Sequence, residues 1–256
     1  MDIKDQVREQ FGKTAENYLV KDQEIKEKDL LRMIEIANLQ GHENMLDVAT
    51  ATGRTLLAFA PRIAEGVGLD ITPEMLAIAE REAGKRGADN VRWLAGDAEQ
   101  LPFADQTFDV VTARVCAHHF PNIGKSMAEM ARVLRTGGLL FVVDNYAPEQ
   151  EEHDLFINTI EKWRDPSHVR AWKLSEWKAF FEKAGLDFAI DNKFPSPMTF
   201  RGWTAKSKTP ADVVEKIERE IEASSEATRE TFGLRKKDDG DWEFHLLKAL
   251  LVGRKS

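Results

Sequence analysis

Cysteine is almost missing from this chain: Cys116 stands alone among 256 residues. An intrachain disulfide is excluded, and a reducing compartment is expected. Positive charge is in deficit too. The 36 Lys and Arg against 44 Asp and Glu leave a net charge of −8, which argues against nucleic acid as a partner, since a phosphate backbone needs a basic face. No apolar run approaches the roughly 20 residues of a membrane span. The opening MDIKDQVREQFGK lacks the apolar core of a signal peptide, so a cytoplasmic location is expected. Internal repeats and low-complexity linkers are absent. So are the G-x-G-x-x-G fingerprint of dinucleotide sites and the Gly-Lys-Ser/Thr close of a Walker loop.

What is present is a soluble globular composition, 42% hydrophobic and 31% charged, long enough for one large domain. Its most informative stretch is Met45–Phe59, MLDVATATGRTLLAF. A short apolar run carries Asp47 near its end. A loop of small residues, 49–53, follows, and an amphipathic run starts at Arg54. A second apolar run then ends on another acid, Asp70. Strand, tight turn, helix, strand and acid is the order of a nucleoside-binding site, with Asp70 placed to accept hydrogen bonds from ribose hydroxyls. With no phosphate cradle, a cofactor without phosphates fits best: S-adenosylmethionine (SAM).

The rest of the chain keeps the alternation. Helix is expected over much of 1–40, from Leu30, Ile34 and Ala37 at helical spacing with Ile25 and Leu31 nearby, and Gly41 as its stop. Strands are expected at 45–48, 66–69, 91–95, 108–113 and 139–143. Helices are expected at 54–63, at 73–86 with Thr72 as N-cap and Pro73 first, and at 122–134. Strands that are nearly all apolar, alternating with helices, indicate an α/β fold with a parallel sheet covered on both faces. Beyond Asp144 the pattern predicts helices at 148–163, at 175–184 capped by Ser175, and from Thr209-Pro210 to about Ser224. It predicts strands at 186–190 and 242–252, and an irregular segment at 195–209.

The succession LDVATATG (46–53), GLDITPEML (68–76), GDAEQLPFADQTFDVVTARVCAHHF (96–120) and ARVLRTGGLLFVVD (131–144) resembles the class I SAM-dependent methyltransferases. Within them it is similar to the menaquinone/ubiquinone C-methyltransferase branch and its bacterial relatives. The HHF segment, RDPSHVR (164–170) and TPAD (209–212) resemble one bacterial subgroup. The resemblance implies a Rossmann-like, seven-stranded sheet with the last strand antiparallel. The single domain would comprise an N-terminal helical lid (1–40), a SAM-binding core (45–145) and helical cover insertions (146–185 and 195–235). Asp47, Ala49, Thr50, Ala51 and Gly53 would run along the methionine part of the cofactor. Asp70 would hold the ribose, Ile71 and Met75 would flank adenine, and Asp97 would meet its amino group beside Ala98. Arg114 and Val115 would line the other side, and Tyr18 would close the methionine end from the lid. The chain departs from the family at Ala49, Ala51 and Thr136, where Gly, Gly and Pro are common. A Cβ at Ala51 costs roughly 1–2 kcal/mol if the backbone there is left-handed.

Methyl transfer from a sulfonium needs alignment and exclusion of water, and a base only where the acceptor holds its proton. His118 and His119, just past the fourth strand, are the candidates to orient or deprotonate an acceptor. The competing reading has one of them packed and donating to a backbone carbonyl. No third ligand stands at metal-site spacing, so no metal is expected, and Cys116 reads as a wall or core residue. Arg164, His168 and Arg170 surround a proline turn that can hold an acidic or phenolic substrate. Alternatively it is a solvated turn with Asp165 pairing an arginine. Asp144 and Tyr146 are expected at the pocket rim. Trp163, Trp172, Trp177 and Trp203 fall in the cover. The expected function is transfer of a methyl group from SAM to a small, partly apolar or aromatic acceptor, releasing S-adenosylhomocysteine. A quinone C-methyltransferase, a non-catalytic SAM-fold binding protein and, more distantly, an NAD-dependent oxidoreductase are the rivals. Oligomeric state is open, a homodimer included.

Overall fold

In the computed structural model, which describes residues 2–18 and 27–256, a seven-strand path forms the centre. Its strands are β1 (Asn44–Val48), β2 (Glu65–Asp70), β3 (Val91–Ala95), β4 (Phe108–Arg114), β5 (Leu134–Ala147), β7 (Leu186–Thr199) and β9 (Trp242–Lys255). Their order is β3-β2-β1-β4-β5-β9-β7. The first five pair in parallel, while β9 runs antiparallel to both β5 and β7. Six strands therefore share one direction and the last strand in the chain opposes them, as expected. Two-residue strands β6 (Trp172–Lys173) and β8 (Arg235–Lys236) add to β5 and β9.

Consecutive strand residues enter opposite cores, as a period of two requires. Met45, Val110, Phe141 and Val143 face α2 (Lys28–Ala37) and α3 (Arg54–Phe59). Leu46, Val111 and Val142 face α5 (Ile123–Val133) and α7 (Leu174–Lys183). Helix α4 (Pro73–Arg86) starts at the expected Thr72-Pro73, and its Met75 and Ile78 pack with Phe11, Ala15 and Tyr18 at the end of α1 (Ile3–Thr14). A separate core fills the cover, where α6 (Glu151–Arg164), α8 (Phe200–Lys206), α9 (Ala211–Ala223) and α10 (Glu226–Phe232) close over the far halves of β7 and β9.

Several boundaries differ from expectation. Residues 195–209 are not irregular: β7 continues to Thr199 through Pro195 and Pro197, and α8 follows. Prolines are tolerated there because β7 is the sheet edge and needs no donors on its outer side. Helix α7 starts at Leu174, and the N–H of Lys173 donates to Glu176 at 2.8 Å; Ser175 instead donates to Glu149. Helix α10, capped by Ser225, was not anticipated. Asn38, with φ 44°, rather than Gly41 ends α2. Ile25 lies outside the described residues. Among the described residues no helix is long and apolar enough to cross a membrane.

Candidate active site

Two adjoining cavities open at the carboxyl ends of β1, β2 and β4, where ligands of parallel sheets bind. The first has a volume of about 420 Å³ and the second about 810 Å³. Phe11, Tyr18, Val115, His119, Met198, Lys206 and Lys248 belong to the walls of both.

The loop after β1 shapes the first cavity. Ala49, Ala51 and Gly53 have φ of 53°, 49° and 79°. Both alanines are thus held in the left-handed region, so the backbone cost expected at Ala51 applies at Ala49 as well. The conformation turns the Ala51 N–H to Asp70 Oδ2 at 2.8 Å, while the Thr72 N–H donates to Asp70 Oδ1 at 2.8 Å. Each carboxylate oxygen keeps accepting capacity beyond these bonds. Burial raises the Asp70 pKa against the pull of those two N–H groups. Asp47, 1% exposed, accepts from Thr50 Oγ1 at 2.6 Å and Thr112 Oγ1 at 2.5 Å, and burial pushes its carboxyl up to about 6.

Every residue expected along the cofactor lines this cavity except Gly53. A Cβ at Gly53 would lie 2.5 Å from the Trp93 ring, so its part is to let the loop close onto β3. Asp97 has a partner that the sequence did not suggest: Lys4 Nζ donates to Asp97 Oδ2 at 2.7 Å and to Glu99 at 2.9 Å, tying α1 across this end of the cavity. Arg114 is fixed by Asp29 at 2.9 Å. Tyr18 lies against Phe11, and burial pushes its phenol up to about 12, keeping it a neutral hydroxyl. Val115, a β-branched residue, adopts φ 57° where the cavities meet, a strained conformation held by its N–H bond to the Val143 carbonyl.

His118 lines the second cavity. Its Nδ1 stands 2.6 Å from Asp144 Oδ1, and its backbone N–H donates to Asp144 Oδ2 at 2.9 Å. With the carboxylate accepting, Nδ1 carries the proton and Nε2 keeps its lone pair. Burial disfavours the imidazolium, but the charge and hydrogen bond of Asp144 outweigh it and leave the His118 pKa raised. His119 behaves oppositely. Burial and then the His118 charge lower it to about 4, and its Nδ1 faces the Ser167 carbonyl at 3.1 Å, the carbonyl contact that the competing reading allowed. Cys116 is a wall residue whose thiol is pushed up by burial, unsuited to act as a nucleophile.

Of Asp144, Tyr146, Arg164, His168 and Arg170, the residues expected around an acceptor besides the two histidines, only Arg164 lines either of these two cavities. Asp144 lies beneath His118, 1% exposed, instead of at the rim. Tyr146 packs against the core below α5 and α7. His168 is 2% exposed, with Nε2 3.1 Å from Asn158 Oδ1, and burial lowers its pKa. Arg170 is tied to Asp154 at 2.8 Å. Asp165 accepts from Ser167, and Arg164 pairs with Glu161 at 2.9 Å, so the turn is neither solvated nor closed by an Asp165 pair. The segment supports the site through its backbone: the Val169 and Arg170 N–H groups donate to the His118 carbonyl at 2.8 and 3.2 Å. Sequence reasoning missed Lys206 and Lys248, because single lysines far apart in the chain form no motif. Among the described residues no group of three or more His, Cys, Asp or Glu is arranged to hold a metal ion.

Comparison with known proteins agrees with this geometry. A family model described as a methyltransferase domain matches residues 46–142. The chain is 38% identical over 242 residues to the uncharacterized methyltransferase YcgJ of Bacillus subtilis (strain 168), covering 94% of this chain and 96% of that protein. The crystal structure of YcgJ superposes with a TM-score of 0.86 at 37% identity, covering 89% of this chain and 98% of that one. A demethylmenaquinone methyltransferase of Thermus thermophilus is 42% identical over 115 residues, covering 44% of this chain and 52% of that protein. By fold, motif order and these similarities, the chain belongs to the class I SAM-dependent methyltransferases.

Proposed function

We propose that the protein binds SAM in the first cavity and directs methyl transfer to a small, partly apolar acceptor in the second. The observation that carries this reading is the adjacency of the two cavities: one is built around the backbone-held Asp70 carboxylate, and the other is lined by His118, which Asp144 holds from behind. The residues of the first cavity fit the cofactor. Asp70 has accepting positions left for two ribose hydroxyls, Ile71 and Met75 offer apolar flanks, and the left-handed loop brings backbone close to a ligand. SAM supplies, when bound, a methyl group already activated on a sulfonium.

The protein's own groups do the remainder. Phe11, Tyr18 and Met198 wall the junction and exclude water. His118 Nε2 accepts the proton of an acceptor hydroxyl, thiol or acidic carbon, and Asp144 stabilises the imidazolium that forms. His119 stays neutral beside it. Incubation with methyl-labelled SAM and a small-molecule extract of bacterial cells tests the reading. Label appearing in an extracted small molecule, above a protein-free blank, is the expected result; none in any fraction would overturn it.

A further inference from the structure

We propose that the methyl acceptor is an anion, whose carboxylate is held by Lys206 and Lys248 where the two cavities meet. The inference deepens the methyltransferase reading above and rests on it.

The two ammonium groups stand out by what surrounds them. The cations nearest the first cavity are matched: Lys4 with Asp97, Arg54 with Glu27, Arg114 with Asp29. Among the described residues neither Lys206 nor Lys248 has a carboxylate within ion-pair distance. Lys206 Nζ lies 4.6 Å from the centroid of the Tyr18 ring, and Lys248 Nζ lies 5.9 Å from that of Phe194. Yet both line both cavities. Burial lowers the pKa of Lys206, with Arg164 and Lys248 adding like-charge repulsion; burial also lowers Lys248, with Arg114 adding repulsion, against the longer-range attraction of Asp29, Asp144 and Glu27. Lys206 is exposed to the space the cavities share and Lys248 is half-buried, so two like charges stand in one wall and attract an anion between them. In a chain of net charge −8, whose overall field repels anions, such a local pair is selective.

The acidic wall residues of the second cavity do not supply that anion. Asp165 is engaged by the Ser167 N–H and hydroxyl, and Glu243 is exposed at the outer rim opposite Arg235. The chemistry favours a carboxylate over a phosphate. Arg164 commits its two terminal nitrogens to Ser207 and Glu161, and the two remaining ammoniums match the two oxygens and single charge of a carboxylate, whereas a phosphate brings a third oxygen and further charge. Phe11, Met198 and Trp203 give the same space apolar walls, and His118 lies in it. The acceptor therefore carries a carboxylate at one end, an apolar or aromatic body, and a removable proton within reach of His118. A second anion could meet the lysines, the amino-acid carboxylate of the cofactor, and the experiment separates the two.

Calorimetric titrations compare 4-hydroxybenzoate and 3-(4-hydroxyphenyl)propanoate with their primary amides, each with and without S-adenosylhomocysteine. The acids should bind at least about tenfold more tightly than the amides, a preference that salt weakens. Lys206→Gln and Lys248→Gln should abolish the preference and leave the affinity for S-adenosylhomocysteine within about threefold, while Lys206→Arg retains it. Equal binding of acids and amides, no measurable binding of either, or a preference that survives in both Gln variants overturns the proposal. So does a loss of S-adenosylhomocysteine affinity with no acid preference, which would give the lysines to the cofactor carboxylate. If the wild type prefers acids but binds no S-adenosylhomocysteine, the methyltransferase reading fails and the anion site stands.

Discussion

The two cavities differ in how their polar groups are used. In the first, Asp47 and Asp70 accept two internal hydrogen bonds each, Arg114 is locked to Asp29, and Lys4 bridges Asp97 and Glu99. In the second, polar capacity is left over. Among the described residues His118 Nε2 has no hydrogen-bond partner, Lys206 and Lys248, which this cavity shares with the first, have no carboxylate, and the Trp203 indole N–H is buried without an acceptor. A site whose charged groups are held in place by internal partners, with accepting positions left on Asp70, is set for one unchanging ligand. A site with groups in reserve is completed by what enters it. The first arrangement suits a cofactor, the second an acceptor.

The largest effect expected to sharpen this contrast comes from His118→Ala. Removing a general base should lower kcat by about 10²- to 10⁴-fold. Affinity for S-adenosylhomocysteine should hold, because the His118 ring lines only the second cavity. Parallel loss of both would erase the distinction between the cavities.

Asp144→Asn acts on the same group through its partner. The base works when neutral, and Asp144 raises its pKa, so kcat should climb with pH through a value above the ordinary 6.5. The Asn variant should shift that limb to lower pH and reduce kcat by roughly tenfold or more. Stability should follow the same pair. The Asp144 pKa is depressed, because His118 outweighs the opposing effect of burial. Its contribution is therefore present above the ordinary carboxylate pKa and lost as pH falls through the folded value. The His118 contribution is full below the ordinary 6.5 and lost as pH rises through its raised value. Urea unfolding across pH should show both edges in the wild type and neither in the variant.

In the first cavity the effects should be smaller. Lys4→Ala removes two partly exposed ion pairs, each worth at most about 1 kcal/mol. It should weaken S-adenosylhomocysteine binding by no more than about fivefold and speed hydrogen exchange along α1; unchanged exchange would show that these pairs do not hold the helix down. Ala51→Gly should give the smallest change. Relief of a left-handed Cβ, about 1 kcal/mol, is partly offset by the greater freedom of glycine in the unfolded chain, so the melting temperature should rise by only a few degrees. A fall would mean that the alanine methyl makes contacts worth more than its strain.

The same contrast governs how much the sequence reveals. The first cavity is built from strand ends and the turns just after them: Asp47 with its loop, Asp70 with Thr72-Pro73, Asp97, and Arg114-Val115. Each is a local pattern of apolar run, acid and small residue, so this part of its walls is legible before folding, while Lys4, Met198, Lys206 and Lys248, brought in by packing, are not. The second cavity is assembled from α1, α8, β7 and β9, distant in sequence and joined only by tertiary packing. Its lysines carry no local signal. Asp144 and Tyr146 show the limit well. The sequence marks both as lying at the end of β5 but does not say which face carries them. Residues two apart share a face; Asp144 ends beneath His118, and Tyr146 packs on the core. The prolines of β7 mislead for a related reason: edge position is a property of the sheet, not of the segment.

The most direct test of the central assignment is a calorimetric titration of S-adenosylhomocysteine into the wild type and Asp70→Ala. The account predicts binding by the wild type and a loss of about 100-fold, near 2.7 kcal/mol, in the variant, where two hydrogen bonds to a charged acceptor are removed. No binding by the wild type at millimolar concentration, or equal affinity of the two proteins, would contradict it.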